Sequence, residues 1–370
     1  MKIRLILLAF FFIWVAGFAQ KIDENSSKFV EPQFEQKASK TGILIDSIIT
    51  SQKIPGLSIA VGVADKIVWA EGFGSANVEL EIPVKINTKF RVGSLSKTFT
   101  ALAIGKLKDD NKIDLDLPIQ IYVPSFPKKR YGINIRQIAG HISGIRHYNY
   151  LKNEFTSNIH FKNVNESLNI FKFDPLLFKP GTKYFYSTYG YVLLSAAIEG
   201  ASRQSFLQYM DSNIFKPLDM KNTVADFKDS LILNRAHCYY LSRGILYDAV
   251  AVDNSNKWGG GGFLSAPVDI VKMGLLLVND KFLKKETIEL LFTSQKLVNG
   301  TETGYGMGWR IGKNTGGKKF VYHSGTSIGG KAFVLIYPNE KVVVAIAANV
   351  NANFDEKMVL KIAENFLPED

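Results

Sequence analysis

The chain has 370 residues, of which 46% are hydrophobic and 21% charged, a balance that excludes a disordered polar segment and a collagen-like repeat. Its 45 basic and 34 acidic residues give a net charge of +11, yet no run of five basic residues occurs, so the excess reads as a diffuse basic surface with no nucleic-acid partner. Cys238 is the single cysteine, which excludes an intramolecular disulfide, a Cys-x-x-Cys metal knuckle and an iron–sulfur cluster.

In chain order, Lys2 and Arg4 precede an uncharged apolar run from Leu5 to Ala19, with Gly17 and Ala19 small enough for a cleavage site before Gln20. Residues 1–19 are therefore expected to be a signal peptide, which makes the protein periplasmic or secreted. The run is shorter than the ~20 residues that span a bilayer, so membrane contact is expected only through an uncleaved signal. Residues 20–40 are polar and read as a linker. Ile45, Ile48 and Ile49 share one face of a helix. Leu57–Val63 and Ile67–Phe73 alternate as strands about the turn Ala64-Asp65-Lys66. Helical patterns and long loops fill residues 94–299, and two more strands, Phe333–Tyr337 and Val342–Ala347, precede a helix over Phe354–Phe366.

The expected fold class is α/β of the α+β kind, with an antiparallel sheet of five or more strands flanked by terminal helices and an inserted, mainly helical domain. The sheet part takes residues 41–93 and 300–366 of a domain running from 41 to 366.

An exported chain without metal-ligand motifs directs attention to serine nucleophiles. Gly325-Thr326-Ser327-Ile328-Gly329 fits Gly-x-Ser-x-Gly, but a strand follows it and no histidine lies beyond His323, so the strand–turn–helix elbow is missing. Ser-x-x-Lys occurs twice. A spacing of three sets side chains ~60° apart around a helix and ~4.5 Å apart along it, so a lysine can serve the hydroxyl as its base. Pro124 and Pro127 bracket Ser125 and Lys128 and keep that pair out of a regular helix. Ser94 and Lys97 instead follow the strand-like Phe90-Arg91-Val92 and open an apolar helical pattern, where backbone N–H groups favour developing negative charge. A simple helix cap is the other reading of this segment alone.

Several further blocks occur along the chain: Pro55-Gly56, Ile135 to Gly144, Lys179-Pro180-Gly181, Tyr184 to Thr188, Gly261 to Ser265 and His323-Ser324-Gly325. With Phe90 to Thr100 they resemble the serine β-lactamase and penicillin-binding protein superfamily in its class C, DD-peptidase and D-aminopeptidase branch. The Ser143 to Tyr148 block and Tyr186-Ser187-Thr188 look most like the mitochondrial serine β-lactamase-like protein and its bacterial relatives. The resemblance implies Ser94 as acylated nucleophile, Lys97 as its proton acceptor, Tyr186 as completing the base and His323 on the strand beside the pocket. Thr188, Ser324, Gly325 and Thr326 would contact substrate, and the N–H groups of Ser94 and Thr326 would form the oxyanion hole.

It implies a cofactor-free serine hydrolase acting on a small molecule or a peptide, such as one derived from the cell wall, as a DD-peptidase, D-aminopeptidase or esterase. A non-catalytic sensor or self-assembling scaffold on the same fold is the alternative. Thr188 replaces the asparagine of the usual Tyr-x-Asn, and His323 the lysine of Lys-Thr-Gly, so β-lactam hydrolysis is expected to be weak. An imidazole part-charged near neutrality leads to the expectation that activity on carboxylate substrates rises below pH ~6.5. The glycine run Gly259–Gly262 reads as a tight loop near the pocket, and His141 and His147 lack zinc-peptidase spacing, so no metal is expected.

Overall fold

Alternating apolar residues at both ends of the chain pair into one sheet in the computed structural model, which describes residues 22–369. The expected signal over residues 1–19 lies outside those described residues. Strands β1 (Lys28–Val30), β2 (Gly56–Val63), β3 (Lys66–Asn77) and β4 (Ile82–Pro83) come from the N-terminal part. Short strands follow: β5 (Phe90–Arg91), β6 (Val224–Ala225), β7 (Tyr239–Ser242), β8 (Ile245–Asp248) and β9 (Phe263–Ser265). The C-terminal part adds β10 (Arg310–Lys313), β11 (Lys319–Ser327), β12 (Gly330–Tyr337) and β13 (Val342–Ala348). The main sheet is antiparallel in the order β1-β3-β2-β13-β12-β11-β10, with β4 on β3. Ala60 opposite Ala345 joins the two ends of the chain across β2 and β13.

The helices are α1 (Glu35–Gln52), α2 (Ser96–Asp109), α3 (Ile135–Ala139), α4 (Val164–Leu168), α5 (Thr188–Ser202), α6 (Phe206–Met210), α7 (Trp258–Gly261), α8 (Pro267–Val278), α9 (Lys285–Leu291) and α10 (Glu356–Glu364). Alternation sorts the strand residues between two cores. Ala60, Val334, Ile336 and Val343 face Phe99 of α2, Leu193 of α5 and Val271 of α8. Ile59, Val61, Leu335 and Val344 face Ile45 of α1 and Ile362 of α10. Burial on both faces is why β2 and β13 read as almost continuous apolar runs. Residues 94–299 are mainly helical, but they also hold the hairpin β7–β8 and the strands β6 and β9, which form a small sheet with β5 in the order β5-β9-β6.

The linker expected over residues 20–40 is corrected from residue 28 onward. Lys28–Val30 pair with Trp69 to Glu71 of β3, and α1 begins at Glu35. Phe34 stacks on Phe366, which stacks in turn on Trp69, at centroid separations of 6.3 and 6.0 Å. The segment is polar because α1 buries only Ala38, Thr41 and Ile45, leaving most of its surface in water.

Candidate active site

Ser94 sits in the single turn Gly93–Leu95 between β5 and α2. That turn is in backbone contact with the edge strand β11. Gly93 has φ 50°, and a Cβ there would lie 2.4 Å from the Thr326 carbonyl oxygen. A Cβ on Gly325 would lie 1.8 Å from the Val92 carbonyl oxygen. Glycine at both positions therefore lets β11 approach the nucleophile, setting the Thr326 backbone beside Ser94.

Lys97, one turn into α2, is fully buried. Its Nζ lies 3.0 Å from Ser94 Oγ, 3.1 Å from Thr188 Oγ1 and 2.5 Å from the Gly260 carbonyl oxygen. Burial, and then the Arg310 charge, hold this amine well below the usual lysine range. A neutral amine has two N–H bonds and one lone pair. The Gly260 carbonyl and the Thr188 hydroxyl accept the first two, which leaves the lone pair for the Ser94 O–H. Gly260 belongs to α7, so the glycine run expected as a loop is a helical turn that closes the lysine's coordination.

Tyr186 precedes α5, and Lys97 Nζ lies 4.9 Å from its ring centroid. Its hydroxyl hydrogen-bonds to Ser94, while burial pushes its ionisation up and keeps it a neutral phenol. Two histidines hold this segment. Ser187 N–H donates to His141 Nδ1 and Thr188 N–H to His147 Nδ1, each at 3.1 Å. The Ser187 hydroxyl donates to the Arg146 carbonyl at 2.6 Å and accepts from Gly190 N–H at 3.0 Å, capping α5. Arg146 is itself fixed by Glu154 and Asp174.

His323 is 1% exposed and faces inward. The Ser324 carbonyl, an acceptor only, lies 2.7 Å from Nδ1, so Nδ1 carries the proton and Nε2 accepts from the Tyr305 hydroxyl at 3.0 Å. Burial first, with the Arg310 charge adding to it, holds His323 well below the usual imidazole range. The expectation of a part-charged imidazole near pH 6.5 is therefore corrected: this ring is neutral and already has both nitrogens occupied.

Ser94, Thr188, Thr326, His147, Tyr148 and Lys257 are among the residues lining a cavity of about 220 Å³. Ser324 and Gly325 contribute backbone to the neighbouring strand. A larger groove of about 630 Å³ beside Leu218, Lys272 and Leu275 has no serine, cysteine or histidine in its lining. Sequence reasoning did not find the roles of His141, His147, Gly260 and Lys257. The histidines lie in blocks that carry the family resemblance, but nothing in the sequence marks Lys257. Among the described residues no group of three or more His, Cys, Asp or Glu is arranged to hold a metal, and no helix is long and apolar enough to cross a membrane.

The beta-lactamase family profile matches residues 32–364. The human mitochondrial serine beta-lactamase-like protein LACTB is 32% identical, the alignment covering 84% of this chain and 76% of that protein. Penicillin-binding protein 4* of Bacillus subtilis is 27% identical over 90% of this chain and 76% of its own. The octameric penicillin-binding protein homologue of Pyrococcus abyssi superposes with a TM-score of 0.76 at 28% identity, covering 86% of this chain and 75% of that one.

Proposed function

Because the chain belongs to the beta-lactamase family, we infer that it is an exported serine hydrolase that forms an acyl-enzyme on Ser94. Its substrate is a peptide, amide or ester, cleaved as a DD-peptidase, D-aminopeptidase or esterase would cleave it. The observation that carries this reading is the 3.0 Å contact of the Ser94 hydroxyl with Lys97, a buried amine held well below the usual lysine range by its burial.

Lys97 takes the Ser94 proton as Oγ attacks the substrate carbonyl carbon, and the N–H groups of Ser94 and Thr326 receive the oxyanion. Tyr186 gives its proton to the leaving group as the carbon–heteroatom bond breaks, and it recovers one from Lys97. In deacylation a water gives its proton to the same pair and attacks the ester carbon, releasing the acid and restoring Ser94 O–H. β-Lactam turnover is expected to be weak, because Thr188 lacks a two-headed amide and His323 offers no cation.

The test is labelling of the purified protein with a fluorophosphonate or a fluorescent penicillin, read by intact mass. One adduct on the wild type and none on Ser94→Ala is expected. An adduct that survives Ser94→Ala refutes the assignment, and a wild type that neither labels nor turns over esters returns the sensor or scaffold alternative.

A further inference from the structure

Lys257 shares the lining of the cavity with Ser94, Thr188 and Thr326, at the end of the turn Asn254–Lys257 that leads into α7. It is 3% exposed, so its ammonium is cut off from bulk water. One of its three N–H bonds reaches the Phe155 carbonyl at 2.8 Å. The Tyr148 and Phe155 rings flank the nitrogen at 5.8 and 5.0 Å. Among the described residues no carboxylate forms an ion pair with it. Asp253 is taken by Ser255 and His160, and Asp226 by Arg91 and Asn254. A buried cation without a counter-ion is costly, and this one lines the same cavity as Ser94 with two N–H bonds unspent.

We propose that Lys257 is the recognition cation of this site and that the substrate carries a carboxylate which it binds. This rests on the hydrolase reading above and adds to it a substrate class. His323, in the position first expected to grip a carboxylate, is neutral and internally bonded, so the charge for that task has to come from elsewhere in the cavity. The competing role for Lys257 is that of a strut for the loop before α4. That role uses one N–H, and the neighbouring Asn256 already holds the adjacent Glu154 carbonyl at 3.2 Å.

Burial pushes Lys257 down to about 7, with Arg91 of β5 adding to the effect and Asp226 and Asp253 opposing it. Among the other ionisable groups lining the cavity, Tyr148 stays a neutral phenol because burial raises it, and His147 stays a neutral imidazole because burial pushes it down to about 4. The ammonium is present on the acid side of that value and lost above it, so preference for an anionic substrate declines as pH rises.

The experiment compares p-nitrophenyl hexanoate with mono-p-nitrophenyl adipate, which adds a terminal carboxylate. In calorimetry near pH 6 on Ser94→Ala, where turnover plays no part, adding Lys257→Met should weaken adipate-ester binding about 10- to 100-fold and leave the hexanoate ester within about threefold. Equal losses for both esters, the signature of a strut, or no loss for either, overturn the proposal. In wild-type kinetics the adipate-to-hexanoate ratio of kcat/KM should fall about tenfold from pH 6 to pH 8.5, and in Lys257→Arg it should stay high throughout. A flat wild-type ratio overturns the proposal even if Lys257→Met fails to fold. If the binding difference appears while neither ester is turned over, the hydrolase reading fails and the recognition site stands.

Discussion

Replacing Gly325 with alanine changes the spacing between β11 and the nucleophile turn and little else. The added Cβ would fall 1.8 Å from the Val92 carbonyl oxygen and 3.0 Å from the Leu95 nitrogen. Both are backbone atoms and cannot rotate away, so the strand must retreat by about 1.2 Å to restore even a 3.0 Å contact. Gly325 is not among the positive-φ glycines, so backbone strain adds nothing and the effect is one of distance. A displacement of about 1 Å costs roughly 100-fold in rate when it separates reacting groups, equivalent to about 2.7 kcal/mol. Overpacking adds about 1–3 kcal/mol of lost stability. The assay is kcat/KM on a p-nitrophenyl ester, with acylation followed by intact mass and folding checked by thermal unfolding. Gly132→Ala is the control, since no atom lies within 4 Å of its Cβ position. A folded Gly325→Ala that keeps more than about a third of wild-type kcat/KM would refute the claim that the close approach of β11 builds the oxyanion site.

Lys97→Met should lower the acylation rate by about 100- to 10,000-fold, the usual worth of a positioned base, and a loss below tenfold would contradict its role. Because burial holds Lys97 well below 10.5, kcat/KM for a neutral ester should reach its plateau well before pH 10, and a rate still climbing toward pH 10 would show a normal lysine. Tyr186→Phe should cut kcat by about 100-fold with little change in the KM of a neutral ester, as a transition-state proton donor requires. His141 and His323 are held well below 6.5 by burial, so below that pH the unfolded chain binds protons that the folded one refuses. Stability from each is therefore complete above 6.5 and falls with acidification by up to about 1.4 kcal/mol per pH unit. His323→Gln should remove about one proton from the uptake on unfolding near pH 5, and unchanged uptake would mean that His323 titrates normally. Arg146→Met leaves Glu154, 9% exposed, without its cation and should cost about 3–5 kcal/mol in urea unfolding, whereas a loss under about 1 kcal/mol would show the pair to be solvated.

The strands at both ends of the chain were legible because alternation is a local property, and two buried faces make it nearly continuous in β2 and β13. The first helix was legible only in part. Its apolar face is thin over Glu35 to Gly42, and what pays for ordering that stretch is the distant stack of Phe34, Phe366 and Trp69, which no local pattern contains. In the same way Ser-x-x-Lys marked a nucleophile candidate, but two such pairs existed. A bracketing pair of prolines, not the motif itself, separated Ser94 from Ser125.

The sequence by itself points to a sheet built from both ends of the chain through periodicity, to Ser94 with Lys97 through spacing, and to Tyr186 and His323 through blocks that resemble a known family. Tertiary structure alone decided their chemical states. The Lys97 amine is held well below the usual lysine range because Gly260, Thr188 and Tyr186, each distant in sequence, bury it and Arg310 adds its charge. His323 is neutral because folding buries it and sets the Arg310 charge near it, while Lys257, an unremarked lysine in the sequence, joins the lining of the cavity that holds the nucleophile. Ionisation follows from solvation and from the field of neighbouring groups, and both are set by residues that meet only when the chain has folded.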